Sequence, residues 1–155
     1  MRDYVILTDS CCDLTAEEIT ELGLTVLPLT YTLDGVNHKN DVFHPEMTNQ
    51  EFFQKIREGA DCSTSAVSVG EFHDAMRPIL ESGKDILCVS FSSALSTTYQ
   101  SSVIAAEDLK SEFPEAKILT VDSLCASLGQ GLLAYYACKK RDEGMPLREL
   151  TQWLL

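Results

Sequence analysis

The sequence predicts an α/β protein in which a mainly parallel sheet is covered by helices on both faces. Segments typical of strands and helices alternate along the chain, which favours parallel strands joined by crossover helices. The candidate strands are short, continuous apolar runs without polar alternation, as in strands that are buried on both faces. A length of 155 residues with 45% hydrophobic residues suits one domain with a sizeable core.

Four apolar runs are predicted to be the strands of this sheet. They lie at 4–8, 25–31, 85–91 and 117–122. Pro28 interrupts the second run, and because proline lacks an N–H for the strand ladder, this run is expected at an edge. The Asp-Gly pair within 33–36 predicts a tight hairpin, and the polar segment 61–68, DCSTSAVS, predicts a loop.

Capping boxes predict where three helices begin. In each box a Ser or Thr is followed three residues later by Glu. The pairs are Thr15–Glu18, Thr48–Glu51 and Ser68–Glu71. Gly23 and Gly59 are expected to end the first two helices. The third is expected to be kinked or shortened at Pro78.

Apolar residues recur every three or four positions in the later part of the chain, which predicts three further helices. These helices lie at 95–113, 125–143 and 146–155. In the second, Leu128, Leu132 and Tyr135 are expected to point inward. The two glycines of this helix, Gly129 and Gly131, either open room for a ligand or allow close packing on the sheet.

Composition excludes several classes of function. A net charge of −12 argues against nucleic-acid binding, which needs a basic surface, and against anionic lipid surfaces. No apolar run is long enough for a membrane span, so stable membrane insertion is not expected. The N-terminal stretch MRDYVILTDS lacks the pattern of a signal peptide, so we expect a cytoplasmic protein.

The six cysteines are expected to be reduced thiols. None forms a C-x-x-C pair, two are adjacent, and no secretory signal accompanies them, so neither a disulfide framework nor a structural metal site is predicted.

Polar residues follow the predicted strands where a ligand is expected. In open α/β sheets, ligands bind beyond the carboxyl ends of the strands. The residues at these ends are Asp9, Ser10, Ser92, Ser93, Asp122 and Ser123. The polar segment 63–68 could reach the same edge. The sequence therefore predicts one polar site at this edge, with Ser10, Thr64, Ser93 and Ser123 clustered there.

The stretch SFSSALSTTYQSS, residues 90–102, is rich in hydroxyls and has no charge. Around a helix N-terminus, the hydroxyls of Ser92, Ser93 and Ser96 together with free N–H groups could hold one carboxylate or phosphate. Ser93 could instead be a simple helix N-cap.

Three other functions stay open at this point. Ser93 could be the nucleophile of a hydrolase or phosphotransferase, although no G-x-S-x-G motif is present and no histidine is an obvious base. Asp9 and Asp13 could serve a metal-dependent phosphatase. The chain could also be an acidic interaction module without a small ligand.

Four motifs resemble, in order, those of the DegV family of bacterial fatty-acid-binding proteins. They are TDSCCDL (8–14), TSAVS (64–68), SSALSTTYQS (92–101) and DSLCASLGQG (122–131). Ala66 and Val67 replace the usual Gln-Pro of the second motif, and Thr97 replaces the usual glycine of the third. The resemblance covers nearly the whole chain.

The resemblance implies a carrier without enzymatic activity, cofactor or metal. Its ligand is a long-chain fatty acid, which it presents to a fatty-acid kinase. Thr64 and Ser93 are implied as the carboxylate ligands. Ser65, Ser92, Ser96 and Ser10 are implied as secondary neighbours of the site.

The resemblance also has a consequence for domain organisation. Residues 1–155 correspond to the N-terminal α/β domain, and the C-terminal domain that closes over the acyl chain in the family is expected to be absent from this chain. Apolar residues near Leu95, Leu128 and Leu132 are then expected to form an exposed patch.

Overall fold

The computed structural model describes residues 2–155, and it confirms the predicted α/β architecture. The described residues form seven strands. They are Tyr4–Asp9 (β1), Thr25–Leu27 (β2), Thr30–Leu33 (β3), Val36–Lys39 (β4), Cys62–Ser65 (β5), Asp85–Ser90 (β6) and Ile118–Asp122 (β7). Four of them form a parallel sheet in the order β2-β1-β6-β7, and the other three form an antiparallel sheet in the order β4-β3-β5.

Helices connect these strands. They are Ala16–Leu22 (α1), Asn49–Arg57 (α2), Val69–Glu81 (α3), Thr98–Glu112 (α4), Leu128–Asp142 (α5) and Leu147–Leu154 (α6), with a short 3₁₀ turn at Ser10–Cys12. Among the described residues, none of the helices combines the length and the apolar character that crossing a membrane requires.

The parallel sheet has a separate hydrophobic core on each face. Successive residues of a strand point to opposite faces, so Ile6 packs with α1, α5 and α6, whereas its neighbour Leu7 packs with α3 and α4. The central strand β6 is buried along its whole length. Helices on both faces explain why the strands of this sheet are continuous apolar runs.

The antiparallel sheet was not predicted. The apolar run 25–31 is two strands, because β2 ends at Leu27 and the chain turns at Pro28 into β3 of the other sheet. The expected edge position is confirmed for β2. The prediction of a loop at 61–68 is wrong for Cys62–Ser65, which pairs with β3 as strand β5. All four side chains of β5 are exposed, so the strand has no apolar pattern to reveal it.

The local signals at helix ends and at the hairpin are confirmed. All three capping boxes form, and Gly23 ends α1 in the left-handed conformation. Asp34 and Gly35 both have positive φ, the geometry of a tight hairpin turn. Helix α3 continues for three residues beyond Pro78 and ends at Glu81.

Two predictions for the later helices are wrong. Helix α4 begins at Thr98, so Leu95 lies in the turn before it. In α5, Leu128, Leu132 and Tyr135 point outward, with 62%, 56% and 37% of their surface exposed. The inward face of α5 consists of Gln130, Gly131, Ala134, Ala137 and Cys138. Gly131 lies against the 3₁₀ turn, where a larger residue has no room, and Ala134, Ala137 and Cys138 pack in the core with residues of β1 and β6.

Candidate functional site

The buried carboxylate of Asp9 lies at the carboxyl end of β1. Its Oδ2 accepts a hydrogen bond from the backbone N–H of Phe91 (2.8 Å) and its Oδ1 accepts one from Cys11 (3.1 Å). Burial raises the pKa of Asp9, although these bonds act in the opposite direction. Asp9 therefore ties the end of β1 to the residue that follows β6, its neighbour in the sheet.

Ser10 joins the two sheets. It is buried, and its Oγ accepts hydrogen bonds from the backbone N–H of Leu29 (3.0 Å) and from Nδ2 of Asn40 (3.1 Å). Leu29 immediately precedes β3, and Asn40 immediately follows β4. One serine at the end of the parallel sheet thus anchors one end of the antiparallel sheet.

Thr64 and Ser65 lie on the antiparallel sheet rather than on the main one. Both are exposed on β5, where Thr64 is opposite Tyr31 and Ser65 is opposite Thr30. Since Thr30 follows Leu29, the bond from Ser10 to Leu29 brings Ser65 within about 14 Å of the Ser10 hydroxyl. The antiparallel sheet that carries Thr64 and Ser65 is thereby tied to the carboxyl end of β1 through Ser10.

Ser93 lies in the turn between β6 and α4, with its side chain exposed. Its backbone N–H donates to Oδ1 of Asp122 (3.1 Å), which also accepts the N–H of Leu124 (3.1 Å). Partial burial of the Asp122 carboxyl acts to raise its pKa, but the hydrogen bonds from Ser93 and Leu124 outweigh this effect and lower the pKa of Asp122. Ser93 is therefore next to the carboxyl end of β7 as well as that of β6.

The N-cap interpretation of Ser93 is wrong, because the cap position of α4 is Thr97, without a side-chain cap bond. Ser92 and Ser96 instead stabilise the turn. The buried Ser92 accepts the N–H of Ala94 (3.3 Å), and Ser96 accepts the N–H of Thr98 (3.2 Å). These two hydroxyls shape the turn that presents Ser93.

Three segments carry the hydroxyls that were implied for the site: the turn after β1, the turn after β6, and strand β5, which belongs to the sheet that Ser10 anchors. We call this set the hydroxyl edge; it consists of Ser10, Thr64, Ser65, Ser92, Ser93 and Ser96. Ser123, which the sequence places at the same edge, is buried and exchanges hydrogen bonds with Cys125.

An exposed apolar surface begins next to the hydroxyl edge. Leu124 is 75% exposed and shares the Asp122 carboxylate with Ser93. Helix α5 follows, and its outward face carries a row of exposed apolar residues that we call the α5 stripe. It consists of Leu128, Leu132, Tyr135 and Tyr136. The expected exposure of Leu95, Leu128 and Leu132 is confirmed.

The inner side of α5 contacts the end of β1 and the 3₁₀ turn that follows it through Gln130 and Gly131. Gln130 is fully buried, and its Nε2 donates to Oγ1 of Thr8 (2.9 Å). A Cβ on Gly131 would lie 2.4 Å from the carbonyl oxygen of Cys12, so this glycine allows close packing. The sequence did not point to Gln130, since glutamine is rarely buried, nor to Asn40, which no motif marks.

Among the residues described, none of the three histidines is hydrogen-bonded to Ser93, and each lies near an acidic side chain. Nδ1 of His38 is 2.6 Å from Glu46, Nδ1 of His44 is 3.3 Å from Asp41, and Nε2 of His73 is 3.9 Å from Glu112. Within residues 2–155, no three His, Cys, Asp or Glu side chains are grouped as a metal site requires.

Two clefts lie elsewhere on the surface. A cleft of about 340 Å³ is lined by Arg2, Tyr4 and Arg141, at the amino end of β1. Another of about 290 Å³ is lined by Asp34 and Lys55. Neither contains a residue of the hydroxyl edge.

Comparison with known proteins agrees with the fold and with the motifs. Residues 3–155 match the family model described as "Uncharacterised protein, DegV family". A DegV domain-containing protein of Clostridium perfringens is 39% identical over 154 residues, which are 99% of this chain and 53% of that protein. One of Lactococcus lactis is 36% identical over 97% of this chain and 52% of its own length.

Solved structures give the same result. A DegV family protein from Thermus thermophilus, described with fatty-acid binding, superposes with a TM-score of 0.86 at 35% identity, over 99% of this chain and 52% of that one. A stearic-acid-binding protein from Eubacterium ventriosum superposes with a TM-score of 0.88 at 26% identity, over 97% of this chain and 52% of that one.

The chain spans about half the length of the relatives that it matches. Over that half, the match to the family model is nearly complete. Together with the order of the four motifs and the observed fold, this match shows that the chain belongs to the DegV family.

Proposed function

We propose that this domain is a carrier that binds a long-chain fatty acid, with the carboxylate on the hydroxyls of Thr64 and Ser93 and the acyl chain along the α5 stripe. The observation that carries the proposal is that an exposed apolar helix face begins directly beside a set of uncharged hydroxyls. Related structures that are described as binding fatty acids support the same ligand class.

The acyl chain supplies most of the affinity in this arrangement. Full burial of a sixteen-carbon chain is worth on the order of 12 kcal/mol before the costs of binding, at roughly 0.8 kcal/mol per CH₂. A hydrogen bond to a charged group contributes about 1.5–3 kcal/mol. The hydroxyls therefore orient the ligand more than they retain it, and the site needs no buried cation.

The α5 stripe can cover only one side of an acyl chain. We propose that residues 1–155 act as the N-terminal domain of a two-domain protein, and that the other half of the longer relatives covers the remaining side. The chain alone is then expected to bind fatty acid weakly or to self-associate through the exposed stripe.

As a carrier, the domain leaves the fatty acid chemically unchanged and needs no cofactor. We propose that a cytoplasmic fatty-acid kinase receives the bound acid from it. A carboxylate held at an edge of the sheet, rather than inside the core, is accessible to such a partner.

One observation favours an enzyme that uses Ser93 as nucleophile, namely the carboxylate of Asp122 beside it. Asp122 already accepts two backbone N–H groups, and its pKa is lowered. A general base works best with a pKa near the operating pH, so Asp122 is poorly suited to activate the hydroxyl. A carrier fits the site better.

Two single substitutions test the proposal through the affinity for palmitate, measured by titration calorimetry. Ser93→Ala and Thr64→Val should each weaken binding roughly 10- to 150-fold, the equivalent of about 1.5–3 kcal/mol. The double variant should show coupling, because both hydroxyls bind one anion. Ser111→Ala is the matched control, since Ser111 is an exposed serine near the C-terminal end of α4, whereas the turn with Ser93 precedes the N-terminal end of that helix.

Two outcomes would contradict the proposal. Unchanged palmitate affinity in both single variants would exclude the carboxylate assignment. If Ser93→Ala bound palmitate normally and abolished turnover of an acyl or phosphoryl ester by the unaltered chain, Ser93 would be a nucleophile.

A further inference from the structure

We infer that Asp9 and Ser10 act as a paired clamp that sets the spacing between Thr64 and Ser93, and so tunes the site for a carboxylate. The inference rests on the proposed function. Neither residue needs to touch the ligand, so both are positioning residues. Each of these adjacent residues holds one of the two segments that carry the proposed ligands.

The Asp9 arm controls the Ser93 segment. Its Oδ2 accepts the N–H of Phe91 at 2.8 Å, and Phe91 is two residues before Ser93. The side chain of Asp9 is completely buried, so water cannot replace this bond, and a hydrogen bond in a site of low dielectric is stronger than one in water. The start of the turn 91–96 is therefore fixed relative to β1.

The Ser10 arm controls the Thr64 segment. The Ser10 hydroxyl accepts the N–H of Leu29 and Nδ2 of Asn40, and these residues flank the hairpin β3–β4. Strand β5, with Thr64, pairs with β3 over four residues. A shift of Leu29 relative to Ser10 would therefore carry β3 and β5 with it.

The clamp itself is held rigidly. Asp9 also accepts the N–H of Cys11 at 3.1 Å, which closes the 3₁₀ turn. Gly131 of α5 packs directly on the carbonyl of Cys12 in the same turn. The two arms thus extend in different directions from one immobilised turn.

This arrangement matters because Thr64 lies on the antiparallel sheet, whereas Ser93 lies in the turn that follows β6 of the parallel sheet, and both residues are exposed. Two hydroxyls that share one carboxylate must both lie within hydrogen-bond distance of it. A displacement of about 1 Å in either segment is enough to break one bond. The clamp should therefore affect recognition of the carboxylate but not contact with the acyl chain.

The test compares the unaltered full chain with Asp9→Asn and Ser10→Ala. Asp9→Asn keeps the shape but places an NH₂ donor opposite one of the two backbone N–H groups. Ser10→Ala removes the acceptor for Leu29 and Asn40. Asp85→Asn is the control, because Asp85 is also buried and accepts a backbone N–H, that of Lys117 (3.0 Å), but lies at the amino end of β6, the opposite end of the sheet. The affinities for palmitate and for its methyl ester are measured by competition with a fluorescent fatty acid.

The unaltered chain should prefer the acid over the ester. Both clamp variants should lose about tenfold in affinity for the acid with little change for the ester, and Asp85→Asn should keep the preference. Hydrogen exchange supplies a readout without ligand. Ser10→Ala should accelerate exchange in β3 and β5, whereas Asp9→Asn should accelerate it in the turn 91–96.

The outcomes separate the two claims. If the unaltered chain does not prefer the acid, the proposed carboxylate site is wrong and the clamp has no such role. If it prefers the acid and the clamp variants keep that preference, or if exchange in their segments is unchanged, the proposed function stands and the clamp is refuted. An equal loss for acid and ester would also refute the clamp, because it indicates general loosening of the fold.

Discussion

Replacing Gly131 by alanine should destabilise the protein, although alanine is the better helix former. Gly131 lies within α5 and is buried against the 3₁₀ turn. An added Cβ would be 2.4 Å from the carbonyl oxygen of Cys12 and 3.2 Å from Cδ2 of Leu14. The first contact involves backbone, which cannot rotate away, so α5 and the turn must separate.

The size of the effect follows from two opposing terms. Even a close C–H···O contact has a carbon–oxygen distance of about 3.3 Å, so the backbones must move apart by nearly 1 Å. Overpacking in a well-packed core costs about 1–3 kcal/mol, and a backbone clash belongs at the upper end. The gain from replacing a helical glycine is at most about 1 kcal/mol. We expect a net loss of about 2 kcal/mol in the free energy of unfolding.

Urea denaturation followed by far-ultraviolet circular dichroism measures this change. Gly70→Ala is the matched control, because Gly70 lies in α3 and a Cβ there meets nothing within 4 Å; it should leave stability equal or slightly higher. If Gly131→Ala were as stable as Gly70→Ala, the close approach of α5 to the turn would be wrong.

Three further predictions follow from burial and charge. Leu132→Gln should change the free energy of unfolding by less than about 0.5 kcal/mol but weaken palmitate binding several-fold. Leu150→Ala, which alters a core residue, should lower the free energy of unfolding by about 2–5 kcal/mol in urea denaturation. Burial raises the folded-state pKa of Asp9, so its contribution to stability is fully present below the unfolded pKa of about 3.9 and is lost as the pH rises through the raised value. In thermal melts, the stability difference between the unaltered chain and Asp9→Asn should therefore shrink as the pH is raised. In thiol labelling, the exposed Cys62 should react first, and Cys62→Ser should remove the fast phase. Cys11 should react slowly, because burial raises its pKa to about 12 and so leaves little of the reactive thiolate.

Structural features that depend on only a few neighbouring residues were predicted correctly from the sequence. The capping boxes at Thr15, Thr48 and Ser68 all form, and the Asp34-Gly35 hairpin has the expected positive φ values. These features depend on one side chain and the nearest backbone groups, so the rest of the fold has little influence on them.

Structural features that depend on residues far away in the sequence were not predicted. Strand β5 has only exposed polar or small side chains, and it is a strand because β3 offers its backbone groups for pairing. Buried Gln130 is accommodated by Thr8, more than a hundred residues away. The sequence did place Ser10, Ser92 and Ser93 at the edge of the sheet, because strand ends were recognisable. It did not reveal that Thr64 lies on a second sheet.

The inverted face of α5 shows why an apolar pattern alone does not predict burial. The spacing of Leu128, Leu132 and Tyr135 indicates an apolar face, but spacing does not say what that face contacts. The opposite face has Gly131, Ala134 and Ala137, which let the helix lie close to the sheet. Once the small residues occupy the interface with the sheet, the large apolar residues must point away from it. A helix that is apolar on its outer side needs another covering, and an acyl chain anchored at the neighbouring hydroxyls would supply one.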